Sequence, residues 1–351
     1  MNNNQNISTR REETLDRIKT LKEKIGKDLL IFAHFYQNED IVYFADFVGD
    51  SLQLANEASR CRDVPYIVFC SVSFMAEMAR ILCSDKQKVL TPDIHADCPL
   101  AEMADIDDVE DAWKQLSSFC MDIIPIVYVN SMSELKAFCG KNSGAVCTSA
   151  NVKKIFQWVI DGKSKILFFP DENLGRNTAY SLGIGEDEIF VWDPHGHNNL
   201  KELKNKRVIL WKGFCYVHKV FLPSQVEKLK KQHDGLKVIV HPECPHQLCS
   251  MSDYYGSTSF IKKTVEESPS GSAWAIGTEW NFVNRLAQNN PDKKIFPLAE
   301  SICWQMSQIT SEKLLSVLEG LLLGEERGRI TVKDEIAYNA RLALNRMLEI
   351  G

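Results

Sequence analysis

Leu29–Gln37 reads LLIFAHFYQ, an unbroken apolar run that opens into His34, Tyr36 and Gln37. The pattern returns as PIVYVNS from Pro125 and KVIVHPECP from Lys237, at steps of 96 and 112 residues. A strand with one face in water alternates apolar and polar residues, so a continuous run predicts a strand covered on both faces. Working outward, three short segments end in small hydroxyl residues before a helix: FVGDSLQLA, AVCTSANVKKI and YYGSTSFIKK. Their Ser51, Ser149 and Ser257 lie 98 and 108 residues apart, which keeps the step. A third set is YIVFCSVSFMAEMA, ILFFPDENLGR and AWAIGTEWNFVNRL, and a fourth is KVLTPDIHADC, RVILWKGFC and KIFPLAESIC. Each member of the fourth set leads from a strand-like run into a cysteine, Cys98, Cys215 or Cys303.

Strands alternating with amphipathic stretches indicate parallel sheets with helices on both faces. The fold class is therefore α/β, built as three homologous αβα three-layer domains, each of ordinary domain size. The expected boundaries are an N-terminal helix over 1–28, domains over 29–112, 113–226 and 227–327, and a C-terminal helix over 328–351. Thr9-x-x-Glu12 spells a capping box for the first helix, whose Leu15, Ile18, Leu21 and Ile25 share one face. Ser311–Leu323 and Asp334–Leu348 read as two further amphipathic helices.

Composition narrows the function classes. Of 351 residues 44% are apolar and 25% charged, which fits a folded globular protein rather than a disordered or fibrous one. Lys and Arg number 41 against 47 Asp and Glu, a net charge of −6, without a polybasic stripe, so neither nucleic acid nor an anionic membrane is an expected partner. Apolar runs such as Ile123–Val129 fall far short of the roughly 20 residues that span a bilayer. The first residues, MNNNQNISTRREETL, lack the apolar core of a secretory signal, and a cytoplasmic location is expected.

The eleven cysteines are then expected to be thiols, and no C-x-x-C spacing occurs among them. Cys61, Cys70, Cys83, Cys120, Cys139 and Cys147 sit in helix-like or strand-like surroundings and read as small core residues. Cys244 and Cys249 form a weaker candidate pair without counterparts in the other repeats. Cys98, Cys215 and Cys303 differ by occupying equivalent loops; units arranged about a pseudo-threefold axis with strand ends inward would bring them together. Three thiolates on a [4Fe–4S] cluster leave one iron open as a Lewis acid, and dehydration is the natural chemistry. The same strand ends carry His34, Tyr36, Tyr128, Asn130, His218, His241 and Glu243. Ser51, Ser149, Ser257 and Thr258 stand where hydroxyls and helix N-termini can hold phosphate or carboxylate, although plain N-capping is the commoner use.

AHFYQ, ADFVGDS, FMAE, PDENLGR, GFCYVH, HPEC, GSTS and IGTE together resemble the quinolinate synthase family, from about Leu29 to the C-terminal helices. The resemblance implies pseudo-threefold symmetry around a central active site and a [4Fe–4S] cluster on Cys98, Cys215 and Cys303. It implies condensation of iminoaspartate with dihydroxyacetone phosphate to quinolinate, phosphate and water in NAD biosynthesis, with L-aspartate oxidase as the functional supplier. By the same resemblance Glu243 moves protons, Tyr128 and His218 relay protons or orient substrate, and Tyr36 and Asn130 shape and close the pocket. His34, Ser51, Ser149, Ser257 and Thr258 would hold the anionic groups, with His241 beside Glu243 also on the substrate. The chain departs from the family at Gln305, where Asn is expected, and places Pro297 and Glu300 where some members carry extra cysteines. Two other readings are another iron–sulfur hydro-lyase acting on a small di-acid and a non-catalytic iron–sulfur sensor. A sensor would need a partner surface or DNA-binding module, and the sequence shows neither a helix-turn-helix pattern nor a basic patch.

Overall fold

A computed structural model describes residues 2–119 and 122–351. The chain divides into two compact units, Met1–Asp97 with Cys303–Val332, and Cys98–Ile302 with Lys333–Gly351.

The first unit holds one parallel sheet of β1 (Leu29–His34), β2 (Phe47–Gly49), β3 (Tyr66–Cys70) and β4 (Lys88–Leu90), in the order β2-β1-β3-β4. β1 and β3 are buried along almost their whole length, as a continuous apolar run requires. Helix Asn2–Ile25 packs on helix Ser311–Leu322. Ile18 joins Ile31, Val68, Leu314 and Leu318 in one core, with Leu15, Leu21 and Ile25 at its margin, so the expected apolar face is the one buried. The capping-box reading of Thr9 fails: the helix begins at Asn2, which leaves Thr9 inside it. Four letters that spell a cap also occur within helices, and only the chain before them decides.

The second unit holds two parallel sheets. β5 (Ile123–Tyr128), β6 (Ala145–Cys147), β7 (Lys165–Phe169), β8 (Ile189–Trp192) and β9 (Val208–Trp211) run in the order β6-β5-β7-β9-β8. β10 (Lys237–Val240), β11 (Tyr254–Tyr255), β12 (Ala273–Gly277) and β13 (Lys294–Pro297) run in the order β11-β10-β12-β13. Helix Asp334–Ile350 lies against helix Ser133–Lys141 so closely that a Cβ on Gly140 would stand 1.9 Å from the Asn339 carbonyl oxygen. Only glycine permits that approach.

All three sheets thus contain the order second, first, third, fourth, and twelve of the thirteen strands coincide with the four repeated sets of sequence. The exception is β8, an extra edge strand in the middle repeat. His195–His197, which lies beyond it, is an exposed turn.

Candidate active site

A parallel sheet whose order reverses beside its first strand opens a crevice beyond the carboxyl ends of its strands. In every sheet here that point separates the loops leaving the first and third strands. One main-chain bond recurs there: Ser73 N–H to Ala96 O at 2.9 Å, Glu172 N–H to Gly213 O at 2.9 Å, and Trp280 N–H to Ser301 O at 2.8 Å. Each acceptor stands two residues before Cys98, Cys215 or Cys303. The carbonyls of those cysteines in turn accept the N–H of Glu102, Lys219 and Ser307, four residues on, at 3.3, 3.0 and 3.0 Å. Cys215 and Cys303 also share an extended backbone, φ −82° with ψ 122° and φ −80° with ψ 99°. The Cys215 loop is gripped tightly, since a Cβ on Gly213 would lie 2.2 Å from the Pro170 carbonyl oxygen.

These three cysteines are half-buried, whereas Cys70, Cys83, Cys139, Cys147, Cys244 and Cys249 are buried. Burial pushes the thiols of the buried set up, Cys83 to about 11 and Cys249 to about 12, which keeps them protonated and poor ligands. Cys244 and Cys249 pack into the core of the third sheet. Cys61 is half-buried at the end of helix Ser51–Arg60 rather than in the core, and Cys120 lies outside the described residues.

Within the second unit, the loop after β10 meets the Cys215 loop and forms a buried polar array. Glu243 Oε2 lies 2.6 Å from His218 Nδ1 and 3.3 Å from His241 Nδ1. The two imidazoles stack, with ring centroids 4.3 Å apart and planes 19° off parallel. His218 Nε2 is 3.1 Å from Thr278 Oγ1, and His241 Nε2 is 3.2 Å from Ser149 Oγ. Cys215, His218 and Glu243 together offer a thiol, an imidazole and a carboxylate within 4.8 Å of one another. Glu243 Oε1 is buried and has no hydrogen-bond partner among the described residues. A buried oxygen of this kind is costly unless something else uses it.

The electrostatics derive from burial. His218 is pushed down to about 4 by burial and by His241, with Glu243 opposing, so it is neutral near pH 7. Burial raises the Glu243 carboxyl, but His218 and His241 outweigh it and hold the group below the ordinary carboxylate range. Asp171 goes the other way: burial and the Glu243 charge raise its carboxyl well above normal, against the N–H groups of Leu174 and Cys215.

Three residues of this array were not singled out in the sequence. Asp171 ends the loop after β7, caps helix Glu172–Ser181 through the Leu174 N–H at 2.7 Å, and accepts the Cys215 N–H at 3.2 Å. Asn177 donates to the carbonyls of Pro242 and Cys244 at 2.8 and 2.9 Å, and clips the HPEC loop in place. Thr278 is the residue after β12. All three lie in the quoted motifs PDENLGR and IGTE or one residue beyond, and the cue available was a polar residue at a strand end.

The remaining expected site residues are spread over both units. Tyr128 ends β5, and Asn130 is half-buried in the next turn. Ser257 is itself an N-cap, accepting the Phe260 N–H at 3.3 Å, and Thr258 is buried behind it. In the first unit His34 ends β1 and is buried, as is Tyr36, with its ring edge-on to His34 at 4.6 Å. The cap ahead of Ser51 is Asp50, which accepts the N–H of Leu52 and Gln53, so the Ser51 hydroxyl is not the helix cap.

The family described as "Quinolinate synthetase A protein" matches residues 16–349. A relative from Bacillus cereus named quinolinate synthase is 47% identical over 344 residues, covering 96% of this chain and 93% of its own. Relatives of the same name from Bacillus cytotoxicus and Bacillus thuringiensis subsp. konkukian are each 46% identical, with the same coverage. No helix among the described residues is long and apolar enough to cross a membrane. With a match over nearly the whole length and the strand-end residues in place, the chain belongs to the quinolinate synthetase A family of enzymes.

Proposed function

We propose that this chain condenses iminoaspartate with dihydroxyacetone phosphate to give quinolinate, phosphate and two waters, in the cytoplasm and on the route to NAD. The observation that carries the reading is Glu243, a buried carboxylate with one oxygen close to two imidazoles and the other without a hydrogen-bond partner among the described residues, beside Cys215. Assembly of the pyridine ring requires protons to leave carbon and nitrogen and to reach departing hydroxyls, and Glu243 would take and return them at Oε1. Tyr128 and His218 would relay protons or orient the substrate. His34, Ser51, Ser149, His241, Ser257 and Thr258 would hold its carboxylates or phosphate, with Tyr36 and Asn130 shaping the pocket. The substrate iminoaspartate would come from L-aspartate oxidase.

Cys98, Cys215 and Cys303 would be the ligands of a [4Fe–4S] cluster, and the donor set fits: each is half-buried and opens a helical turn, with one loop architecture ahead of all three. Bound through three thiolates, such a cluster supplies an open iron that acts as a Lewis acid. We also propose that the three sheets are three homologous domains, over 29–112, 113–226 and 227–327, between a helix at 1–28 and one at 328–351. Anaerobic purification with iron, sulfide and EPR analysis, and then a quinolinate assay, tests the reading. Cluster-loaded protein that forms no quinolinate from the two substrates would overturn it, as would a Cys303→Ala variant that keeps the full cluster signal.

A further inference from the structure

We propose that Trp211, Ser301 and Gln37 are positioning residues for the three cysteines: each caps the short helical turn that follows one of them, and so holds the Cys98, Cys215 and Cys303 loops where a shared cluster requires them. The inference rests on the proposed cluster and extends it to side chains beyond the three thiolates.

A helix leaves its last four carbonyls without a partner inside it, so a single turn depends on donors from elsewhere. Met103 closes the turn after Cys98: its carbonyl accepts the Trp211 indole N–H at 2.7 Å, and its sulfur takes the Phe214 N–H at 3.3 Å. Val217 lies in the turn Tyr216–Lys219 that Cys215 opens, and its carbonyl accepts the Ser301 hydroxyl at 2.7 Å. Met306 lies in the turn Trp304–Ser307 that Cys303 opens, and the Gln37 amide donates to its carbonyl at 3.2 Å, with its sulfur 3.4 Å away. The three donors differ in residue type, yet their places correspond. Trp211 ends β9 in the second repeat, Ser301 follows β13 in the third and Gln37 follows β1 in the first, so every donor comes from the repeat after the cysteine it serves, the first serving the third. Trp211 stands four residues before Cys215 and Ser301 two before Cys303, so each of these bonds ties two cysteine loops together. All three donors are buried, so bulk water does not replace one that is removed.

Trp211→Phe, Ser301→Ala and Gln37→Leu each delete one donor and keep most of the packing, whereas Ser301→Thr keeps the hydroxyl. In the cluster-loaded full-length protein each deletion should speed iron release to a ferrous chelator by about 10- to 100-fold, and Ser301→Thr should release iron at the wild-type rate. Cluster-free full-length protein gives a second readout, the rate at which iodoacetamide alkylates each cysteine, followed by mass spectrometry. That rate should rise at Cys98 in Trp211→Phe, at Cys215 in Ser301→Ala and at Cys303 in Gln37→Leu. It should stay constant at Cys61, which is half-buried at the end of helix Ser51–Arg60 and belongs to none of these loops. An equal rise at Cys61 would show general loosening and overturn the proposal, as would wild-type rates in the deletions or a Ser301→Thr variant that behaves like Ser301→Ala. Each donor and its cysteine are read separately, so a variant that does not fold leaves the other two to decide. Wild-type protein that assembles no cluster would overturn the proposed cofactor instead, and the alkylation pattern would still decide the caps.

Discussion

The loops after β1 and β10 share a turn and differ in chemistry. In the first, His34 ends the strand and its Nδ1 accepts the N–H of Tyr36 at 3.2 Å; in the second, His241 stands just past the strand and its Nδ1 accepts the N–H of Glu243 at 3.4 Å. The backbone device is one, a histidine that accepts the amide two residues on, and it occurs in the first and third repeats, whereas the middle one has Tyr128 and no histidine at this strand end. The side chain two residues past the histidine differs: a phenol edge-on to its ring in one loop, a buried carboxylate beside a second imidazole in the other. A repeated scaffold can thus place side chains of different chemistry at matching points.

The sharpest way to break this comparison is to remove the basicity that separates the two loops. Glu243→Gln keeps size and hydrogen bonding, so kcat should fall by about 10²–10⁴ while iron content stays. A variant with near-normal turnover would return this loop to a binding role like that of the first.

Next in size is the pH dependence of folding that the second loop confers. His218 drops from 6.5 to about 4 on folding because burial and His241 disfavour its charged form. Below pH 6.5 the unfolded chain binds a proton that the folded chain refuses, so stability is complete above that pH and declines toward pH 4. The loss is on the order of 2 kcal/mol for this group, read from denaturant midpoints between pH 7 and 5. Asp171, with a raised pKa, works in the opposite direction, so His218→Asn should flatten the decline; an unchanged slope would remove His218 as its source.

A smaller effect should come from the anchor of the cysteine loop. Asp171→Asn replaces one of two acceptor oxygens by a donor facing either the Leu174 or the Cys215 N–H, with an expected destabilisation of about 1–3 kcal/mol and lower iron content in chemical assay. Full iron content would mean that the bond to Cys215 is dispensable. The smallest change is expected from Tyr36→Phe, which keeps the ring against His34 and removes the hydroxyl: KM should rise severalfold with kcat almost unchanged. A fall in kcat as large as that of Glu243→Gln would erase the division of labour between the loops.

Legibility in the sequence tracked the range of the interaction involved. Continuous runs such as LLIFAHFYQ declare a buried strand because a strand covered on both faces needs apolar residues at every position, and a threefold recurrence turns a local pattern into a sheet order. β8 escaped that logic, since IFVW at 189–192 has no counterpart in the other repeats and is no longer than many loop-borne apolar runs. Cys61 and Cys83 each follow a helix as its C-cap, yet the first is half-buried and the second buried, a difference that neighbouring residues in the sequence do not encode.

By itself the sequence determined the α/β class, the strands of the four repeated sets, the cysteines that end the fourth set, and a polar residue at each strand end. Each of these depends on spacing along a few turns or on a repeat of the chain with itself. Only the tertiary structure decided that Glu243 lies against His218, that the Thr278 hydroxyl meets the far side of that ring across 60 residues, and that Asn177 clips a loop 65 residues away. Hydrogen bonds between buried groups are satisfied by whichever partner the packing of strands and helices brings within about 3 Å, and that proximity is a property of the assembled layers, which local residue patterns do not encode.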